Sequence, residues 1–269
     1  MTEDYANRFG GIGRLYGADR QERISHLHIA VVGIGGVGSW TVEALARTGV
    51  GQLTLIDLDE ICITNVNRQL HARDGKIGQL KIEAMAGRAR AINPAIQLNL
   101  IPGFFNSKSA DDILDRGFDG VVDAIDSGMQ KAILVSACHS RGIPLVTCGA
   151  AGGKCDPSRI TVADLARTHG DPLLLQLRKT LRNRFDFPHA GTKKQAKRFG
   201  ITAVYSDERP VYPHCDGSVR HEKPSSAEAS GRLQCATGLG SSAPVTGTFG
   251  LIAAARIIED ILIKGESPD

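Results

Sequence analysis

The chain has 269 residues, 42% of them hydrophobic, enough for a sizeable core built as one large α/β domain or one domain with an attached segment. A formal net charge of +3 singles out no partner by itself. The six cysteines (Cys62, Cys138, Cys148, Cys155, Cys215 and Cys235) contain no C-x-x-C pair, which leaves a zinc knuckle unsupported. The N-terminus is polar and mixed in charge, so no signal peptide and a reducing cytoplasmic setting are expected.

Residues 1–26 are polar and rich in Arg and Gly, and are expected to form an arm. The first strand is predicted at 28–32. It runs into Val31-Val32-Gly33-Ile34-Gly35-Gly36-Val37-Gly38, which has the glycine spacing of a dinucleotide fingerprint. In that pattern Gly33 permits a tight turn, Gly35 lets the backbone approach a phosphate, and Gly38 lets helix and strand pack closely. A helix follows over 39–48, with Gly49 as its stop. Its first N–H groups would face an anion.

Further strands are predicted at 53–57, 96–101, 120–125 and 144–147. Helices are predicted over 77–91, ending before Asn93-Pro94, and over 129–141, closed by Gly142. Strands alternating with helices imply an α/β fold with a doubly wound, mostly parallel Rossmann-like sheet. After residue 150 the pattern changes. Strands at 159–163 and 202–205 read as antiparallel additions, and a helix starting at Pro172 loosens around Pro188 and Gly191. Residues 233–255 lack any charge, but their glycines, Pro244 and hydroxyl residues make the run too polar for a membrane span. A glycine-rich loop leading into a buried helix at 248–263 is expected. The domain reading is thus an arm over 1–26 and a single domain over 27–269, with a basic insertion around 172–200.

Four features beyond the glycines carry chemistry. Asp57, at the end of the second strand, can accept hydrogen bonds from ribose hydroxyls, which suits NAD and ATP equally. Asn65-Val66-Asn67-Arg68-Gln69 follows, and Lys81 lies 13 residues beyond Arg68. Two cations near a triphosphate serve an adenylating enzyme, which must stabilise charge on the α-phosphate and on departing pyrophosphate. Hydride transfer has no need of them. Taken singly, Arg68 could be a surface ion pair and Lys81 a solvated helix residue. Asp123-Ala124-Ile125-Asp126-Ser127 sits at the carboxyl end of the fourth strand, where open sheets bind ligands. Asp126 is the better candidate to hold Mg²⁺ with ATP phosphates; Asp123 could instead orient the loop.

The fourth feature is a basic segment. Arg178, Lys179, Arg182, Arg184, Lys193, Lys194, Lys197 and Arg198 stand against one acid, Asp186, so this stretch carries +7 and the rest of the chain −4. It is the expected RNA-binding surface, against the alternative of a solvated helix and loop. Phe185, Phe187 and His189 could stack on unpaired bases or anchor the segment to the core.

Taken in order, the glycine motif, Asp57-x-Asp59, Asn65-x-x-Arg68-Gln69, Lys81 and Asp123-Ala-x-Asp126 resemble the ubiquitin-activating-like adenylyltransferases, which include the activating enzymes of molybdopterin and thiamine biosynthesis. Within that superfamily the chain most resembles the branch that cyclises a threonylcarbamoyl-modified adenosine beside a tRNA anticodon. Supporting stretches include Arg8-Phe9-Gly10-Gly11, Arg14-Leu15-Tyr16-Gly17, Ala44-Leu45-Ala46-Arg47-Thr48-Gly49, Asp171-Pro172-Leu173 and Val211-Tyr212-Pro213.

The resemblance implies an ATP-dependent enzyme that adenylates the threonine carboxylate, releases pyrophosphate, and closes a ring with net loss of water. It implies nucleotide binding by the motif residues Gly33, Gly35, Gly36, Gly38, Asp57, Asp59 and Gln69, phosphate stabilisation by Asn65, Arg68 and Lys81, and Mg²⁺ at Asp126. It further implies a homodimer in which Arg8 crosses the interface, with Arg14 competing for that role, and a cysteine desulfurase or sulfur-acceptor partner. Cys235 resembles a cysteine proposed to be reactive in the family; a buried structural role is the alternative, since ring closure needs no thiol. The competing functions are adenylation of the C-terminus of a ubiquitin-like or sulfur-carrier protein, NAD-dependent oxidoreduction, and nucleotide binding without catalysis. The oxidoreductase leaves Asn65, Arg68, Lys81 and Asp126 without a role.

Overall fold

The computed structural model describes residues 2–189, 197–224 and 239–264. Two helices open the chain, α1 (Glu3–Tyr16) and α2 (Ala18–His26), where an arm was expected. Three glycines in α1 weaken the helical signal, but Thr2 caps it by accepting from Tyr5 N, and Glu3 and Asp4 complement its N-terminus. Tyr5 and Phe9, one turn apart, are both buried, and the Tyr5 hydroxyl donates to the Gly49 carbonyl at 2.7 Å.

The central sheet contains β1 (His28–Val32), β2 (Gln52–Ile56), β3 (Gln97–Ile101), β4 (Gly120–Asp123), β5 (Leu145–Cys148), β6 (Ile160–Asp164) and β7 (Thr202–Ser206). Their spatial order is β3-β2-β1-β4-β5-β7-β6. Every neighbouring pair is parallel except β6 with β7. Thus β6 is the antiparallel addition, whereas β7, expected to be one as well, continues the parallel sheet beside β5. A small antiparallel hairpin, β8 (Tyr212–Pro213) with β9 (Val219–Arg220), lies outside it.

All five residues of β1 are buried because helices cover both faces. Ile29 and Val31 face a core shared with α3 (Gly36–Arg47), α4 (Lys81–Ile92) and the last helix, α8 (Ala243–Lys264). Ala30 and Val32 face the opposite core, with α5 (Ala110–Leu114), α6 (Gly128–Ser140) and α7 (Pro172–Arg184). α4 begins four residues later than the periodicity predicts. Gly78, at φ +83°, turns the chain and donates from its N–H to the Ile61 carbonyl instead of entering a helix.

α8 is longer than expected and packs against α3 at backbone distance. A Cβ on Gly250 would stand 2.5 Å from the Val37 carbonyl oxygen, so no side chain fits there. Thr41 Oγ1 donates to the Gly250 carbonyl at 3.2 Å across the same contact. Among the described residues, no helix is long and apolar enough to cross a membrane.

Candidate active site

The carboxyl ends of β1, β2, β4 and β5 open into a cleft of about 700 Å³. Gly33 leaves β1 at φ +88°, with its N–H donating to the Ile56 carbonyl at 2.9 Å. The first turn of α3 then closes on the strand end: a Cβ at Gly38 would lie 1.8 Å from the Gly33 carbonyl oxygen. Glycine is therefore required at 33 for the turn and at 38 for the contact. α3 begins at Gly36, three residues earlier than predicted, so its first N–H groups reach into the cleft that Gly35 and Gly36 line.

Asp57 stands at the end of β2, buried at 9% exposure. Its two oxygens are already engaged by backbone: Oδ2 accepts from Ile34 N at 2.6 Å and Oδ1 from Asp59 N at 2.8 Å. Each oxygen retains capacity for another donor, so the carboxylate can shape the turn and still face a ligand. Asp59 also lines the cleft and accepts from Lys81 Nζ at 2.6 Å. Lys81 is buried at the start of α4, and its pairing with half-exposed Asp59 sets the ammonium at the cleft wall.

Asn65 is buried and its Oδ1 accepts from Cys62 N at 3.0 Å, fixing the turn that presents the next residues. Arg68 extends an exposed guanidinium that donates to the Thr64 carbonyl at 2.9 Å and to Asn67 Oδ1 at 3.1 Å. The backbone beneath it is tied to the last helix. Thr246 Oγ1 and Trp40 Nε1 both donate to the Arg68 carbonyl, at 3.1 and 3.3 Å, and Asn67 Nδ2 donates to the Ser241 carbonyl at 2.7 Å. Gln69 is buried against the cleft, and its Oε1 has no protein partner among the described residues.

The two acids after β4 separate. Asp123 is wholly buried and accepts from Lys131 Nζ at 2.8 Å, Thr147 Oγ1 at 2.7 Å and Ile125 N at 3.1 Å. It orients the loop. Asp126 is exposed at the cleft wall beside Ser127. Among the described residues no group of three His, Cys, Asp or Glu side chains forms a metal cage. Asp126, whose carboxylate, unlike those of Asp57 and Asp59, is engaged by no backbone N–H or lysine among the described residues, nevertheless suits Mg²⁺, which keeps several waters and takes the rest of its shell from substrate phosphates.

The basic segment does not form one surface. Arg178 is buried on the same face of α7 as Leu174, Leu177 and Leu181, and donates to Thr168 Oγ1. Burial pushes its pKa down. It cannot meet RNA without unfolding that face, which corrects the expectation for this residue. Arg182 is half-buried, donates to the Pro188 carbonyl at 3.1 Å and stacks over the Phe199 ring. Phe187 is buried against His139 and Phe199, so it anchors the segment, with Phe185 packed beside it. Lys179, Arg184, Lys197, Arg198 and His189 are exposed. Lys193, Lys194 and Cys235 lie outside the described residues.

Arg8 does not reach the cleft of its own chain; it pairs with Asp4 on α1 at 2.8 Å. Of the buried cysteines, Cys148 at the end of β5 lines the cleft and Cys138 lies on α6. Burial pushes both thiols up to about 12, so neither offers a thiolate at neutral pH. Sequence reasoning missed Lys131, whose place among Ala132, Leu134 and Val135 on α6 was the available signal. It also missed Phe104, Gln130 and Thr246, which line the cleft from segments without a motif, and Leu173, whose stretch was quoted without a role at the site.

A doubly wound sheet, a glycine turn capping a helix and two cations converging on one cleft define a nucleotide-binding fold of the adenylating class. The chain matches the ThiF family over residues 11–268 and belongs to that family. It is 44% identical over 262 residues to the tRNA threonylcarbamoyladenosine dehydratase of Haemophilus influenzae, covering 97% of this chain and 96% of that protein. The corresponding Escherichia coli protein is 43% identical over 265 residues, with 98% and 97% covered. A crystal structure of the E. coli dehydratase in complex with ATP superposes with a TM-score of 0.85 at 39% identity, over 98% of this chain and 97% of that one.

Proposed function

We propose that this chain is an ATP-dependent tRNA-modifying enzyme that dehydrates threonylcarbamoyladenosine next to the anticodon by way of an acyl-adenylate. The observation that carries the reading is the convergence of Arg68 and Lys81 on the cleft headed by the glycine turn. Near-full-length similarity to dehydratases, one of them crystallised with ATP, supports it.

In the first step a threonine carboxylate oxygen attacks the α-phosphorus. The bond to the β-phosphate oxygen breaks, and pyrophosphate leaves with the electron pair. Arg68 and Lys81 offset the charge that builds on these oxygens. Lys81 shares or exchanges its Asp59 partner to do so. Mg²⁺, when bound with ATP, would neutralise phosphate charge, and Asp126 is the residue to hold it. In the second step a carbamoyl oxygen or nitrogen attacks the acyl carbon, AMP departs, and a proton is lost. The attacking group is tethered to the same nucleoside, so positioning supplies much of the rate.

The same reading takes residues 27–269 as one adenylyltransferase domain with a basic insertion around 172–200, preceded by the 1–26 segment. It takes the active form as a cytoplasmic homodimer, with Arg8 serving the cleft of a second copy, and leaves a place for a sulfur-acceptor partner. The tRNA backbone is assigned to exposed Lys179, Arg184, Lys197 and Arg198, with Lys193 and Lys194 between them in sequence.

ATP–pyrophosphate exchange tests the proposal, run with tRNA bearing threonylcarbamoyladenosine, with unmodified tRNA and with a carrier protein ending in Gly-Gly. Exchange with the modified tRNA alone, accompanied by a product lighter by one water, is expected. Exchange with the carrier protein instead would move the chain to the carrier-activating enzymes.

A further inference from the structure

The glycine turn is gripped at one residue from two sides. Ile34 is wholly buried. Its N–H donates to Asp57 Oδ2 at 2.6 Å, and its carbonyl lies 2.8 Å from His71 Nε2. In a planar trans peptide, the C=O of one residue and the N–H of the next point in opposite directions. The Asp57 bond therefore turns the Gly33 carbonyl away from Asp57, towards α3, where a Cβ on Gly38 would meet it at 1.8 Å. The same rule applies one peptide later. With the Ile34 carbonyl drawn to His71, the Gly35 N–H points away from His71. Gly35 lines the cleft.

We propose that His71 is a positioning residue for ATP: by donating from Nε2–H to the Ile34 carbonyl, it aims the Gly35 N–H at a phosphate oxygen. The inference rests on the ATP reading above and adds to it a residue that does not itself line the cleft. A carbonyl can only accept, so the ring must carry its proton on Nε2 and leave Nδ1 as a lone pair. Nδ1 is buried and has no partner among the described residues, consistent with a ring placed for its other nitrogen. His71 is 3% exposed. Burial, with Lys81 on the same side, favours the neutral ring over the opposing pull of the Ile34 carbonyl and Asp57.

The test uses the full chain and two variants. His71→Phe keeps the ring and its volume but removes the donor; His71→Gln keeps an N–H. ATP affinity is measured by calorimetry, and KM for ATP is compared with KM for modified tRNA. His71→Phe is expected to weaken ATP binding about tenfold, the scale of one charge-assisted hydrogen bond losing its aim. KM for tRNA should stay unchanged, and His71→Gln should recover most of the loss. In the unsubstituted protein, ¹⁵N NMR should show His71 protonated at Nε2 alone at pH 7, and the Gly35 amide should shift on adding ATP. A ring protonated at Nδ1, a Gly35 amide indifferent to ATP, or wild-type ATP affinity in folded His71→Phe would each overturn the assignment. Failure of the unsubstituted protein to bind ATP would overturn the functional reading instead, and the ring's tautomer would still be legible.

Discussion

The nucleotide cleft and the basic segment treat charge in opposite ways. In the cleft, Arg68, Lys81, Asp57 and Asp126 come from separate stretches of sequence, and the carboxyl ends of parallel strands bring them to one place. In the basic segment, the four cations that lie close together on α7 are scattered by the helix. Arg178 goes inward with the leucines, Arg182 is tied to Pro188 and Phe199, and Lys179 and Arg184 face solvent. Sheet topology concentrates what is distant, and a 3.6-residue period disperses what is near. A charge count over a window therefore overstates a helical interaction surface.

The sharpest way to separate architecture from chemistry within the cleft is the buried Lys131–Asp123 pair. Lys131→Met should cost about 3–5 kcal/mol in urea unfolding because it strands a buried carboxylate. Lys131→Met combined with Asp123→Leu should cost less than that single change. A double variant worse than Lys131→Met would mean that the bonds Asp123 accepts from Thr147 and Ile125 N outweigh the pair.

Next in size is the chemistry. Arg68→Ala and Lys81→Ala should each lower pyrophosphate exchange at least about 10²-fold, as for loss of one transition-state donor, with urea midpoints near the parent's. Normal turnover in both variants would remove the phosphate roles.

The basic segment yields a smaller contrast. Lys179→Ala and Arg184→Ala should each reduce the slope of log affinity for tRNA against log salt by about 0.7–0.9. Arg178→Ala should leave that slope unchanged and lower stability by about 1–3 kcal/mol, since Thr168 Oγ1 loses the donor it accepts from and keeps only its bond to the Leu165 carbonyl. A slope change for Arg178→Ala alone would reverse the division drawn between these residues.

The smallest effect is on pH dependence. Burial lowers the pKa of His28 and His71 from the ordinary 6.5. The unfolded chain takes up protons below that value before the folded chain does. Their contribution is thus complete above pH 6.5 and is lost as pH falls through the lower folded values. Urea midpoints measured from pH 7.5 to 5 should decline, and His71→Phe should flatten the decline. An identical slope in that variant would show that His71 does not titrate differently on folding.

The sheet was legible because β-rich runs such as 28–32 and 120–123 are bounded by glycine or a strand-end acid. Glycine spacing likewise located the turn at 33–38. What escaped depended on partners far away in sequence. α1 is concealed by its three glycines, yet Tyr5 and Phe9 find burial against the end of α3. Lys131 carries no motif; its partner Asp123 lies 8 positions away, and Thr147, which donates to the same carboxylate, lies 24 positions from Asp123. Asp57 suggested a ribose ligand; one of its oxygens also closes a local turn onto Asp59 N, while the other holds Ile34 N from a distant stretch. Arg178 was within reach: positions 174, 177, 178 and 181 form one helical stripe.

The close approach of α8 to α3 sets an order on biosynthesis. All seven strands of the main sheet leave the ribosome before Gly250 can seat against Val37, and before Thr246 and Ala243 secure the Arg68 and Asn67 backbone. Until then one face of the sheet lacks a helix that covers it, and the cleft lacks a floor under the guanidinium. The support beneath the Arg68 guanidinium is therefore completed only once residues 243–250 have been made.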